Sequence, residues 1–317
     1  MDLVDIPENP VPSGAVTGAI TTSDRFTLRF ARWRPTTRKG LGTVCVFTGR
    51  AEFIEKYFET IGELRDRGFS VAALDWRGQG GSQRLLKNPR KGHIDDFSQF
   101  DRDLAAFMEK VVLPDCTPPY FALAHSMGGN ILLRNSRRAP AWFERQVLSA
   151  PMLELAGRRA SSPYVHGLAE ILGLIGLGNS YVPGGSSTAA SVRPFKGNVL
   201  TLDPGRFHRN NDIIDAEPGL GLGSATIGWL WAAGEAMREV MHPDFAPRVR
   251  VPTLMVAAGD DRVVSTRAIE SLAFRMKIGS HIVIPAARHE ILMERDSIRE
   301  QFWAAFDAFV PGSPVFG

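Results

Sequence analysis

A rhythm of short apolar runs alternating with amphipathic stretches constrains the fold of this chain more than any other feature. Thr43–Phe47 (TVCVF), Ser70–Trp76 (SVAALDW), Tyr120–His125 (YFALAH), Gln146–Ala150 (QVLSA), Thr253–Gly259 (TLMVAAG) and His281–Pro285 are short and apolar enough to be strands buried on both faces. Helical spacing lies between them. In Phe53–Arg67, the residues Phe53, Ile54, Tyr57, Phe58, Ile61 and Leu64 fall on one stripe, and Gly68 ends it. Ser98–Val112, Met127–Arg138, Ser265–Met276 and Ile291–Phe309 read the same way. Such alternation calls for an α/β fold: a mostly parallel sheet with helices on both faces. Ahead of the rhythm, Ala15–Ile20 and Phe26–Trp33 read as a hairpin joined by polar Thr22–Arg25.

The rhythm breaks once. Pro151 to about Val249 is rich in Gly and Pro, with helical pieces around Tyr164–Leu177 and Ala225–Val240. The break reads as an insertion over one end of the sheet. The expected organisation is a core of residues 1–151 and 249–317 and a helical cap of residues 152–248. The length, 317 residues, and the 44% apolar and 22% charged fractions suit a globular chain with a large core. Thirty-seven Lys+Arg stand against 34 Asp+Glu with no basic block, so nucleic-acid binding has no support. The small excess mildly favours anionic lipid surfaces. Two cysteines make no disulfide framework. The opening MDLVDIPENPVPSG lacks the basic region and apolar core of a signal peptide. Gly167–Gly178 is interrupted by Glu170 and too short to span a bilayer. The expectation is a cytoplasmic protein, with peripheral contact at the inner membrane compatible with its charge. Nothing in the sequence speaks to oligomeric state.

The sharpest local signal is Ala124-His125-Ser126-Met127-Gly128-Gly129, where an apolar strand meets a helix. A serine there is lifted on a tight turn above the sheet, beside a helix N-terminus that favours developing negative charge. A helix N-cap is the plainer role for such a serine. A serine hydroxyl needs a base, and the base an acid to orient it. Asp260-Asp261 follows the strand Thr253–Gly259, and His289 follows His281–Pro285 after a short loop. In a parallel sheet these strand ends share one edge, so Ser126, Asp261 and His289 can converge. The oxyanion needs two backbone N–H donors. Met127, after the nucleophile, supplies one; Arg50, in the loop Thr48–Glu52, supplies the other, with Gly49 permitting unusual backbone there. His125 reads as structural. The stretch His289–Met293 lacks the second His of a zinc motif, and the seven histidines show no other ligand spacing. No metal or cofactor is expected.

These residues resemble the serine α/β-hydrolases of the monoacylglycerol lipase and bacterial lysophospholipase type. The matching segments include Gly49–Glu52, Asp75–Gly80, Gly92–Phe97, Ala124–Gly129, Ser149–Met152, Arg193–Phe195, Asn198–Thr201, Asp261–Val264 and His289–Leu292. The resemblance implies Ser126 as nucleophile, Asp261 rather than Asp260 as acid, and His289 as base. It implies cleavage of one acyl ester in a lysophospholipid or monoacylglycerol, a small acyl-lipid partner. Two departures stand out: Phe47-Thr48-Gly49 replaces a His-Gly pair, and Ala124 replaces Gly. Leu168, Ile171, Leu172, Leu174, Ile175 and Leu177, with Trp229, are candidate acyl-pocket residues; Leu172, Ile175 and Trp229 are the chosen contacts. Arg193, Arg206 and Arg209 are candidate partners for a head-group phosphate. Two other functions share this scaffold. An aminopeptidase or amide hydrolase would need a cap carboxylate for a free amine, with Glu170, Asp203, Asp212, Asp215, Glu217, Glu235 and Glu239 available. A non-catalytic ligand-binding homologue would not need all three catalytic groups.

Overall fold

The computed structural model describes residues 2–37, 40–137, 141–157, 167, 172–189 and 194–311. Eight strands form one sheet: β1 (Val16–Thr21), β2 (Thr27–Trp33), β3 (Thr43–Phe47), β4 (Ser70–Leu74), β5 (Tyr120–His125), β6 (Arg145–Ser149), β7 (Thr253–Ala258) and β8 (Gly279–Ile284). Their spatial order is β1-β2-β4-β3-β5-β6-β7-β8. The hairpin β1/β2 and its junction with β4 are antiparallel, and every later pairing is parallel. All five residues of β3 and all six of β7 are buried, as a strand covered on both faces must be. Phe47 stands at the centre of the core. Its ring stacks on Trp76 at 5.5 Å and meets Phe107 and Phe143 edge-on at 5.9 and 5.8 Å.

Helices α1 (Phe58–Asp66), α2 (Ser98–Phe107) and α3 (Met127–Asn135) precede the break in the rhythm. Between β6 and β7 the described residues form two long helices, α4 (Pro204–Ala216) and α5 (Ile227–Met241). The second was expected. Thr226 caps it by accepting from the Trp229 amide. The first was not legible as a helix, because its apolar stripe is thin: Phe207, Ile213 and Ile214, with a buried Asn210 among them. Its start follows a local rule nonetheless, with Asp203 accepting from the Arg206 amide and Pro204 in the first turn. Of the expected Tyr164–Leu177 helix, most residues lie outside those described; Gly173–Leu177 forms a wide turn broken at Gly176. Beyond β7 come α6 (Thr266–Arg275) and α7 (Asp296–Phe309). The expected Ile291–Phe309 helix is thus two pieces, a 3-10 turn at Ile291–Met293 and then α7. Among the described residues no helix is long and apolar enough to cross a membrane.

The Glu59 carboxylate helps fasten α4 to the core, beside Asp296 and the Glu294 carbonyl, which also hold Arg206. Glu59 on α1 accepts from Arg206 at 2.5 and 2.9 Å, from Arg209 at 2.6 Å and from Arg299 of α7 at 2.9 Å. Burial works against its ionisation, but these guanidinium groups hold its pKa down at about 2. A depressed carboxylate pKa contributes stability that is present above the unfolded value, about 4.3, and lost as pH falls towards 2. With its partial exposure discounted, we expect Glu59→Gln to cost about 1–2 kcal/mol at pH 7 and much less near pH 2. Urea melts at both pH values check this; identical stability of the two proteins at pH 7 contradicts it.

Candidate active site

Strand β5 ends at His125, and α3 begins at Met127. Ser126 between them has φ 48° and ψ −111°, a conformation that costs a non-glycine residue on the order of 1–3 kcal/mol. Packing enforces it. The Ser126 amide donates to the Ser149 carbonyl at 3.0 Å, and the Ser126 carbonyl accepts from Met152 at 3.0 Å. A Cβ on Gly128 would lie 2.8 Å from the carbonyl oxygens of Phe47 and Thr48, and one on Gly129 would lie 2.8 Å from the Pro151 Cβ. These two positions require glycine. Ala124, standing where the broader pattern has Gly, is buried within β5, and the sharp turn forms with its methyl in place.

The sheet brings the three distant residues together. His289 Nε2 lies 3.0 Å from Ser126 Oγ, and His289 Nδ1 lies 2.9 Å from Asp261 Oδ2. A carboxylate only accepts, so Nδ1 carries the proton and Nε2 faces the hydroxyl as a base. Asp261 Oδ1 accepts from the amides of Val263 and Val264 at 2.8 and 2.9 Å. Burial opposes its charge, but the His289 hydrogen bond and those amides hold its carboxyl below the usual range. Asp260 turns outward to Arg262 at 3.3 Å. Among the described residues the N–H groups of Arg50 and Met127 have no hydrogen-bond partner. The loop that carries Arg50 is held by Gln79. Its Nε2 donates to the carbonyls of Gly49 at 2.6 Å and Glu52 at 3.1 Å, and its Oε1 accepts from the Ala51 amide at 3.1 Å. The left-handed residue is Ala51, φ 62°, and not Gly49 as expected. Glycine is needed at 49 for another reason: a Cβ there would press on His125 Nδ1 at 2.8 Å and Glu52 Oε2 at 2.9 Å.

Beside this loop lies a buried charge network that the sequence did not disclose. Glu52 accepts from the Gly49 amide, from Lys56 Nζ at 2.7 Å and from Tyr57 OH at 2.7 Å, and its Oε1 lies 3.0 Å from His125 Nδ1. Lys56 also meets Glu290 at 2.6 Å. His125 Nε2 donates to the His289 carbonyl at 3.2 Å, and the two imidazole rings are 4.8 Å apart. Burial disfavours the imidazolium of His125, but the Glu52 carboxylate outweighs burial and raises its pKa. His125 therefore ties the loop of His289 to the loop of Arg50. The only sequence signal was Glu52 and Lys56 four apart, both set within the apolar stripe of Phe53, Ile54, Tyr57 and Phe58.

Ser126, His289, Arg50 and this network open onto a cavity of about 320 Å³. Trp229, Phe207 and Ile214 from the segment between β6 and β7 form part of its wall, facing Phe53 and Met152. Trp229 was expected there. Leu172 is not among the wall residues, and Leu177 is exposed. Leu168 and Ile171 lie outside the described residues, as do the side chains of Leu174 and Ile175. Arg206 and Arg209 are bound to Glu59 and do not line the cavity, and Arg193 lies outside the described residues. None of Asp203, Asp212, Asp215, Glu217, Glu235 and Glu239 lines it either, while Glu170 is outside the described residues. The turn Asn198–Thr201, whose Leu200 also lines the cavity, is bound to the His289 loop. Leu200 accepts from the Glu290 amide at 2.8 Å, Thr201 Oγ1 donates to the Met293 carbonyl at 2.7 Å, and Arg288 Nη1 donates to the carbonyls of Asn198 and Thr201 at 3.0 and 3.2 Å.

Known proteins resemble this chain in sequence and in fold. Residues 39–296 match the family described as serine aminopeptidase, S33. Lysophospholipase L2 of Escherichia coli is 32% identical over 88% of this chain and 82% of its own length. A monoacylglycerol lipase of Mycolicibacterium smegmatis is 27% identical over 83% of this chain and 85% of its own. Among solved structures, a monoglyceride lipase from Saccharomyces cerevisiae in complex with a substrate analogue has a TM-score of 0.72 at 15% identity, over 94% of this chain and 96% of that one. A Bacillus coagulans carboxyl esterase has a TM-score of 0.75 at 20% identity, over 95% and 99%. With an elbow serine after β5, an acid after β7 and a histidine after β8, and with a family match spanning most of its length, the chain belongs to the serine aminopeptidase S33 family of α/β-hydrolases.

Proposed function

We propose that the chain is a carboxylic ester hydrolase acting on monoacyl lipids through an acyl-enzyme. The observation that carries this reading is the hydrogen-bonded series Ser126–His289–Asp261 facing a cavity with a mostly apolar wall. His289 Nε2 takes the hydroxyl proton as Ser126 Oγ attacks the acyl carbonyl, and the free amides of Arg50 and Met127 receive the oxyanion. Collapse breaks the ester bond, and the imidazolium returns its proton to the departing alcohol. Water, deprotonated by the same Nε2, then attacks the acyl-enzyme and releases the fatty acid and Ser126. Asp261 holds the Nδ1–H tautomer and stabilises the imidazolium. The relatives named lysophospholipase and monoacylglycerol lipase support the substrate class.

Residues 152–248 act in this reading as the cap, with Trp229, Phe207 and Ile214 as acyl contacts. An aminopeptidase finds less support. A free amine needs an unmatched carboxylate, and both carboxylates of the cavity wall, Glu52 and Glu290, are already paired. The small basic excess supports docking at an anionic lipid surface, from which a monoacyl lipid is drawn.

A panel of p-nitrophenyl esters tests the acyl contacts. Each methylene buried is worth about 0.8 kcal/mol, so kcat/KM should climb by up to about fourfold per carbon from acetyl to medium chains. A maximum at acetyl overturns the acyl-lipid assignment.

A further inference from the structure

We propose that the side chain of Arg50 is the receptor for the phosphodiester of a lysophospholipid, while its own amide serves the ester oxyanion. The inference rests on the monoacyl-lipid reading and narrows it to a phosphate-bearing substrate.

Arg50 projects from the oxyanion loop into the cavity wall. Its guanidinium lies over the Trp229 ring at 5.1 Å, and Nη2 donates to the Gly223 carbonyl at 2.9 Å. Nε is shut away from solvent and has no partner. Among the described residues no carboxylate forms an ion pair with it. The remaining charges of the wall cancel: Lys56 sits between Glu52 and Glu290, and His125, its pKa raised, lies against Glu52. Burial lowers the Arg50 pKa to about 10, and no neighbouring anion lifts it again. The group remains charged at neutral pH. A half-buried guanidinium with no anion beside it is costly until one completes it, and its fork of N–H donors suits phosphate oxygens.

Covalent reach agrees. In a lysophospholipid about six bonds separate the ester carbonyl carbon from phosphorus. About six bonds also separate the Arg50 amide nitrogen from its Cζ. An ester held on the amide therefore brings its phosphate within range of the guanidinium. The chain makes room for that group at Gly92, where a Cβ would collide with Nη2. The parallel bridge between Gly92 and Ala225 holds this strip beside Gly223.

The test compares a lysophospholipid bearing a choline phosphodiester with a monoacylglycerol of the same acyl chain. The reacting ester is common to both, so any damage to the oxyanion loop divides out of their ratio. In Arg50→Gln the ratio of kcat/KM should fall about tenfold or more, chiefly through KM, and Arg50→Lys should recover part of it. Gly92→Ala, which keeps the charge but displaces it, should shift the ratio the same way. Equal losses on both substrates would show that the side chain only shapes the loop, and would overturn the proposal. A second arm measures glycerophosphocholine as a competitive inhibitor of p-nitrophenyl ester hydrolysis. Its inhibition constant should rise about tenfold or more in Arg50→Gln; an unchanged constant, or no inhibition of the parent protein, also overturns it. Failure of the parent protein to cleave either lipid while cleaving the p-nitrophenyl ester would defeat the monoacyl-lipid reading, and the inhibitor arm would still decide the role of Arg50.

Discussion

Ser126→Ala should lower kcat on an acyl ester by on the order of 10⁴ to 10⁶, with the fold intact. In the proposed reaction the hydroxyl is the attacking atom, and its only hydrogen-bond partner among the described residues is His289 Nε2. The backbone conformation that lifts residue 126 is held by the Ser149 carbonyl and the Met152 amide, so alanine occupies the same strained turn. Thermal stability should therefore change little while turnover collapses. A serine-directed fluorophosphonate should label the parent protein and not the variant. A variant that stays within tenfold of the parent on a p-nitrophenyl ester would remove Ser126 from its assigned role, and with it the hydrolase reading.

The next largest effect should come from Glu52→Gln. Removing one partner of a buried charge network leaves the others uncompensated, which costs about 3–5 kcal/mol. Here Lys56 and His125 would be left sharing Glu290 alone. The same carboxylate anchors the Gly49 amide, so the Arg50 amide loses its setting and kcat should fall about 10²-fold, as on loss of one oxyanion donor. The pH dependence identifies the cause. Burial opposes ionisation of Glu52, but His125 and Lys56 hold its carboxyl well below the usual range. Its contribution is full above the unfolded value of about 4.3 and is lost as pH falls below it. His125 has the opposite sign. Its raised pKa contributes stability that is full below about 6.5 and lost as pH rises through the folded value. The pair therefore stabilises most between about pH 4.3 and 6.5. In Glu52→Gln this maximum should flatten, because His125 loses the group that keeps it charged. Urea melts from pH 4 to pH 9 measure it; a variant with the parent's stability and pH profile would show that the network carries no weight.

The sheet and the convergence of Ser126, Asp261 and His289 were legible because their signals are local. A buried parallel strand is a continuous apolar run, and Ser126, Asp261 and His289 each stand just past one, at positions where a chain leaving such a sheet turns. The network around Glu52 was not legible, because Glu52, Lys56 and Glu290 look like ordinary surface residues, and His125 like a strand end with no named partner, until the sheet stacks their loops together. The same holds for Arg206 and Arg209. An arginine pair in a polar segment suggested a phosphate, but α1 presents Glu59 to both. Arg50 was singled out for its amide alone; the environment of its guanidinium depends on Gly92, Gly223 and Trp229, which only the fold assembles.

The turn Asn198–Thr201 shares its hydrogen bonds with the loop that bears His289. A door hung on that turn could not swing without dragging His289 off Ser126. Movement of this wall and the position of His289 are thereby mechanically linked. Freedom to reshape the mouth for other chains belongs to the jamb around Trp229, for which no hydrogen bond to the His289 loop exists among the described residues, whereas Phe207 rides on a helix that Arg206 ties to the Glu294 carbonyl.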